Sequence, residues 1–162
     1  MEQKNNLQWG IGPWNDEPAD TIVHGEYKEY KYHLQRSQLG TWCGYVEVDP
    51  ASPYALEDYD KIKLEVYGGV TYSEGGKYRK TGKETFFIGF DCAHSDDLIP
   101  GAEILKQAII DSGDSKLKKL NELTQKLEST IPYLKKTYKT LEFATNECKS
   151  MIDQIILNPD MK

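Results

Sequence analysis

The period of the hydrophobic pattern changes once along this 162-residue chain, and that change limits what it can fold into. From Thr41 to Phe90 the apolar residues come in short β-branched and aromatic runs broken by Gly and Pro. From Leu117 onward they recur every three or four positions. The first pattern suits half-buried strands and the second amphipathic helices, so the expected class is α+β.

Individual elements follow from local composition. Thr41–Val48 reads as a strand, stopped by Asp49-Pro50-Ala51-Ser52-Pro53. Lys61–Tyr67 alternates charged and aliphatic residues, Gly68-Gly69 interrupts it, and Val70-Thr71-Tyr72 resumes. Ser73 to Lys83 reads as a mobile hairpin connection, and Glu84–Phe90 as the last strand. Together these predict an antiparallel meander of about four strands. Ahead of it, Trp9–Pro18 reads as an ordered loop packed by its two tryptophans. Tyr27, Tyr30 and Leu34 stand near helical spacing, which predicts an N-terminal helix over Glu26–Ser37 ended by Gly40.

Behind the sheet, Leu117, Leu120, Leu123, Leu127, Ile131 and Leu134 form one apolar stripe, with Pro132 marking a break. Tyr138, Leu141, Thr145, Cys148, Ile152 and Ile155 form a second, close to a heptad. The two stripes predict a C-terminal helical hairpin or a helix–helix contact between subunits. The length suits one domain, with residues 1–97 mainly sheet and 98–162 helical.

Composition narrows the function classes. Mean hydropathy is −0.66, yet 11 tyrosines, 3 tryptophans and 4 phenylalanines supply enough area to close a core. There is no apolar run of membrane-spanning length, and Met1–Asn6 leads into no apolar stretch, so a cytoplasmic protein is expected. The three cysteines, Cys43, Cys92 and Cys148, are expected as free thiols without a disulfide. A net charge of −6 argues against general nucleic-acid binding. The segment from Ser115 to Lys139 carries +5, which leaves −11 on the rest of the chain. That segment is either a solvated helix face or a basic surface for an anionic ligand or a second subunit.

Three stretches have compositions that packing does not explain. In Trp42-Cys43-Gly44-Tyr45, a glycine inside a strand marks a bulge or a close approach. In Gly68-Gly69-Val70-Thr71-Tyr72-Ser73, the paired glycines suit either an anion-binding concavity or a plain turn. Gly89-Phe90-Asp91-Cys92-Ala93-His94-Ser95-Asp96-Asp97 closes the last strand with acids around a histidine, which can serve a ligand or tie their own loop. Asp91, His94 and Asp97 are weak metal candidates. Neither HExxH nor a CxxC pair occurs, so no structural zinc and no cofactor is expected. P-loop, GxGxxG and Gly-x-Ser-x-Gly signatures are also missing.

At these motifs the chain resembles a family of small bacteriophage and prophage proteins. The likeness runs through Gly12-Pro13-Trp14-Asn15-Asp16-Glu17-Pro18, Trp42-Cys43-Gly44-Tyr45-Val46, Gly68-Gly69-Val70-Thr71-Tyr72-Ser73 and Gly89-Phe90-Asp91-Cys92-Ala93-His94. It ends in Tyr138-Lys139-Thr140-Leu141-Glu142-Phe143 and Glu147-Cys148. There are two departures. Tyr67 stands where the family usually has His, and Leu98–Thr137 looks like an insertion. The resemblance implies a phage protein acting in the infected bacterial cytoplasm.

The residues suit sequestration of a nucleotide-derived immune signal without turnover. Trp42, Tyr72 and Phe90 would stack on the base, and Gly68, Gly69, Arg36 and the lysine-rich helix would meet the phosphates, with Gly44, Thr71 and Ser73 also among the ligand-binding residues. Asp91, His94 and Glu147 would meet the hydroxyls and base amines. Two alternatives remain: a phosphodiesterase or nucleotide hydrolase using His94 and Asp91, and a protein inhibitor of a host factor. A homo-oligomer formed through the Leu117–Leu134 helix is also expected.

Overall fold

The computed structural model describes residues 6–77, 84–130 and 136–162. Five strands build one antiparallel sheet: β1 (Ile22–Tyr27), β2 (Tyr30–Arg36), β3 (Trp42–Val48), β4 (Tyr72–Lys77) and β5 (Glu84–Asp91). Their spatial order is β1-β2-β3-β5-β4. Since β5 inserts between β3 and β4, the sheet is not a plain meander of four strands. Three helices follow, α1 (Pro100–Asp111), α2 (Ser115–Thr130) and α3 (Leu141–Leu157). The class is α+β, and no helix among the described residues is long and apolar enough to cross a membrane.

The expected helix over Glu26–Ser37 is instead the β1–β2 hairpin. Tyr27 pairs with Tyr30 across a two-residue turn, Lys28-Glu29, whose φ angles are 48° and 70°. Two consecutive left-handed residues give the turn whose twist matches the flanking strands. A turn of two residues returns Tyr27 and Tyr30 to one face, so the i, i+3 spacing that imitates a helix comes from the turn.

Among the described residues the expected strand at Lys61–Tyr67 pairs with no other strand. A short 3-10 turn at Tyr59–Lys61 precedes it, and side chains of α3 take its backbone hydrogen bonds. The Gln154 amide accepts from the Glu65 N–H at 2.7 Å and donates to the Glu65 carbonyl at 2.7 Å. Glu147 accepts from the Tyr67 N–H at 3.1 Å. One side-chain amide thus imitates a ladder partner and satisfies both backbone groups. Farther on, Ser73–Lys77 belongs to β4, and the rest of the expected hairpin connection (78–83) lies outside the described residues.

Strand β3 alternates strictly, with Trp42, Gly44, Val46 and Val48 buried and Cys43, Tyr45 and Glu47 half-buried. The buried set and Leu34, Ile88 and Phe90 meet Ala144, Cys148, Met151, Ile152 and Ile155 of α3 in the main core. Thr140 caps α3 by accepting from the Phe143 N–H at 3.0 Å. Tyr138, expected in the second stripe, precedes the helix. Gly44 lets the layers close: a Cβ there would lie 2.4 Å from the Phe90 ring and 2.8 Å from Cys148 Sγ.

The two helical stripes do not form a hairpin. Helix α3 covers the sheet, whereas α2 packs on α1, an element the leucine pattern did not reveal. Asp97 and Thr137 form a parallel β-bridge, so α1 and α2 leave the domain and return at one point. Pro100 starts α1, and Asp114 accepts from the Lys116 and Leu117 N–H groups at the head of α2. Pro132, Ile131 and Leu134 lie outside the described residues.

At the other end of the core sits a buried ion pair. Arg36 Nη2 donates to Glu17 Oε1 at 3.0 Å, with the two side chains 1% and 11% exposed. The same carboxylate accepts from Trp42 Nε1 at 3.2 Å, from the Tyr138 hydroxyl and from the Leu141 N–H. Removing one partner of a buried pair leaves an uncompensated charge, which costs about 3–5 kcal/mol. Glu17→Ala should lower the unfolding free energy by that amount in a denaturant titration, and adding Arg36→Met should recover part of it.

Candidate functional site

The most organised polar cluster centres on His94, in the loop that leaves β5. His94 Nδ1 lies 3.0 Å from Asp97 Oδ2, and the same oxygen accepts from the His94 backbone N–H at 2.9 Å. Asp97 is buried, and its other oxygen accepts from the Tyr67 hydroxyl at 2.6 Å and pairs with Lys139 Nζ at 3.4 Å. With Asp97 acceptor-only, the network assigns the Nδ1 proton to that contact. This aims Nε2 at Asp91 Oδ1, 3.6 Å away, where the two side chains are 29% and 36% exposed.

Neighbouring elements hold the cluster from outside. Asp91 accepts from the Thr71 hydroxyl at 3.1 Å and the Ala93 N–H at 3.1 Å. The Tyr67 ring stands edge-on to His94 at 5.1 Å and to Phe143 at 5.3 Å, with Lys139 Nζ 5.0 Å from its centroid. Burial and the Asp97 hydrogen bond push the Tyr67 phenol well above its ordinary range, so Tyr67 acts as a fixed donor. Gly68 and Gly69 both sit in the left-handed region, at φ 71° and 81°. A Cβ on Gly68 would fall 2.3 Å from the imidazole, so His94 fits where it does only against a glycine.

The cluster gathers some of the expected ligand residues and leaves out others. Gly68, Gly69, Thr71, Asp91 and His94 come together, with Tyr72 on the adjoining strand. Trp42, Gly44 and Phe90 lie in the core beneath α3 and expose no stacking surface there. Arg36 is buried with Glu17, between the Trp9 and Trp42 rings at 5.0 and 4.1 Å. Glu147 fixes the Tyr67 backbone, and Ser73 donates to the Glu57 carbonyl. The expected single concave site around Trp42, Gly68-Gly69 and His94 therefore loses Trp42 to the core, while Gly68 stays against His94. Two surface concavities of about 560 and 410 Å³ lie elsewhere, and neither is lined by His94.

Tyr67 and Lys139 were not expected at the site; Asp97 was expected either as a weak metal ligand or as an acid tying its own loop, and it accepts from the His94 N–H as in the second reading. The placement of Asp97 three residues after His94, within reach of the His94 N–H, was the one local signal. Among the described residues no group of three or more metal-ligating side chains is assembled.

The three thiols are free, with Cys92 and Cys148 buried and Cys43 partly exposed. Burial pushes Cys148 up to about 12 and Cys92 higher still, and it also raises Cys43. A raised acid pKa contributes stability that is complete below the unfolded value and is lost as pH climbs toward the folded one. Stability should therefore decline from about pH 9 upward. At pH 8 Cys92 and Cys148 should resist a thiol reagent until guanidinium is added. Gly68→Ala should cost about 1–3 kcal/mol and shift the His94 ring resonances, because the backbone is left-handed and the imidazole must move.

Searches of family models, curated proteins and solved structures found nothing similar to this chain.

Proposed function

We propose that the protein binds a small nucleotide-derived signal of bacterial immunity and holds it without turnover, as a phage counter-defence protein would. The observation that carries this reading is the partly exposed His94–Asp91 pair beside the Gly68-Gly69 turn, fixed from beneath by Asp97 and Tyr67. Asp91 and the outward Nε2 suit the hydroxyls and amines of a nucleoside, and Tyr72, set edge-on to Tyr45 at 5.2 Å, offers an aromatic face beside them. Fixed polar groups of this kind favour binding because little is lost in ordering them. The phage assignment rests on the motif resemblance.

A second reading has its own support. An imidazole oriented by a buried carboxylate is the arrangement that general-base catalysis uses, so a phosphodiesterase or nucleotide hydrolase would employ His94 and Asp91. Among the described residues the cluster holds no thiol or hydroxyl nucleophile in contact with Nε2, and water would have to be the attacking group.

The purified protein, incubated with a panel of cyclic nucleotides and cyclic ADP-ribose species, is heated and the supernatant compared with the input. Intact ligand released on denaturation is the expected result. Altered ligand establishes the hydrolase, and the absence of any bound ligand rejects both readings. His94→Ala and Asp91→Asn should each weaken binding at least about tenfold, since one charge-assisted hydrogen bond contributes about 1.5–3 kcal/mol.

A further inference from the structure

Two apolar surfaces of this chain are exposed, and they complement each other. The first is the sheet face opposite α3. Register sets His24, His33, Tyr45, Gly89 and Tyr72 in one row across all five strands. His33 stacks on Tyr45 at 4.9 Å and meets Phe87 edge-on at 5.4 Å, which makes a flat, half-exposed aromatic band. Gly89 keeps the band flat, since a Cβ there would lie 2.7 Å from the Tyr45 ring. Around the band, Glu26 and Glu47 outnumber Lys31.

The second surface is the leucine stripe of α2. Leu117, Leu120, Leu123 and Leu127 are 42%, 61%, 60% and 54% exposed. Beside them stand Lys116, Lys118 and Lys119, and the helix carries four lysines against two glutamates. Its packing neighbour is α1, on an excursion tethered at the Asp97–Thr137 bridge.

We infer that α2 of one chain docks across the aromatic sheet face of a second copy, in a two-fold exchange that covers both surfaces. The dimensions agree. From Leu117 to Leu127 the helix rises about 15 Å, and five strands spaced about 4.8 Å apart span about 19 Å. Charge selects this pairing over α2 against α2, which brings lysine-rich helices together, whereas the rim of the sheet face offers carboxylates. A two-fold exchange makes every contact twice, which raises the buried area toward that of a stable dimer. The docked helix lies over His33, Tyr45 and Phe87 and leaves the His94–Asp91 corner at its edge, so the inference does not depend on which ligand, if any, binds there.

The full chain is tested by light scattering at micromolar concentration. A mass of two chains, each 18.5 kDa, is expected, and Leu123→Glu should reduce it to one with unchanged circular dichroism. A mass of one chain for the unaltered protein overturns the inference. The mode of pairing is read by cross-linking Leu120→Cys or Leu123→Cys with a short bis-maleimide. Because Cys43 lies on the aromatic face, a covalent dimer should form and should vanish when Cys43→Ser is added. A covalent dimer that persists in that background means helix on helix, and no covalent dimer in either background means a different interface. Both outcomes overturn the proposal.

Discussion

The Glu17–Arg36 pair ties the paired ends of β2 and β3 to two parts of the chain outside their ladder. Glu17 lies in the Pro- and Gly-rich N-terminal segment, Arg36 at the end of β2, Trp42 at the start of β3, and Tyr138 and Leu141 at the entry to α3. An ionised carboxylate is costly to bury unless its lone pairs are filled, and here donors from all these segments fill them. The guanidinium is correspondingly enclosed by two indole faces and by the Gly40 carbonyl at 2.9 Å. Each segment has to arrive for the others to be satisfied, so the network fixes where α3 begins and therefore how it lies on the sheet.

The placement of α3 in turn determines the His94 cluster. Glu147 and Gln154 project from the helix and hold residues 65–67 extended, which sets Tyr67 over Asp97. Phe143 supports the Tyr67 ring, and Lys139, just ahead of the helix, balances the buried Asp97 charge. The site is thus made by a loop after β5 and a loop before β4, joined through one helix, and no single motif contains it.

Some of this was legible in the residues. The β-branched and aromatic residues of Thr41–Val48 and Glu84–Phe90 identified β3 and β5, because strands packed against a helix carry such side chains. The stripe from Tyr138 to Ile155 identified α3 by its helical period, although Tyr138 itself precedes the helix. The β1–β2 hairpin was hidden because Lys28-Glu29 occupy left-handed conformations without the glycine or asparagine that usually announces such a turn. Residues 61–67 looked like a strand since their alternation is real, but their partners are side chains of α3, which lie 80 to 89 positions away. Within the site, Gly68, Thr71, Asp91 and His94 were identified from composition, whereas Arg36, Trp42 and Phe90 were grouped with them by residue type alone.

What the sequence determined by itself is the α+β class, the two central strands, the C-terminal helix and the chemical character of the His94 loop. These depend on periodicity and on neighbours within a few residues. What only the tertiary structure decided is the order in which strands pair, the partner of each helical stripe and the face to which each functional side chain is assigned. Those depend on long-range contacts and on a side-chain period of two, under which adjacent residues such as Trp42 and Cys43 point to opposite sides of the sheet.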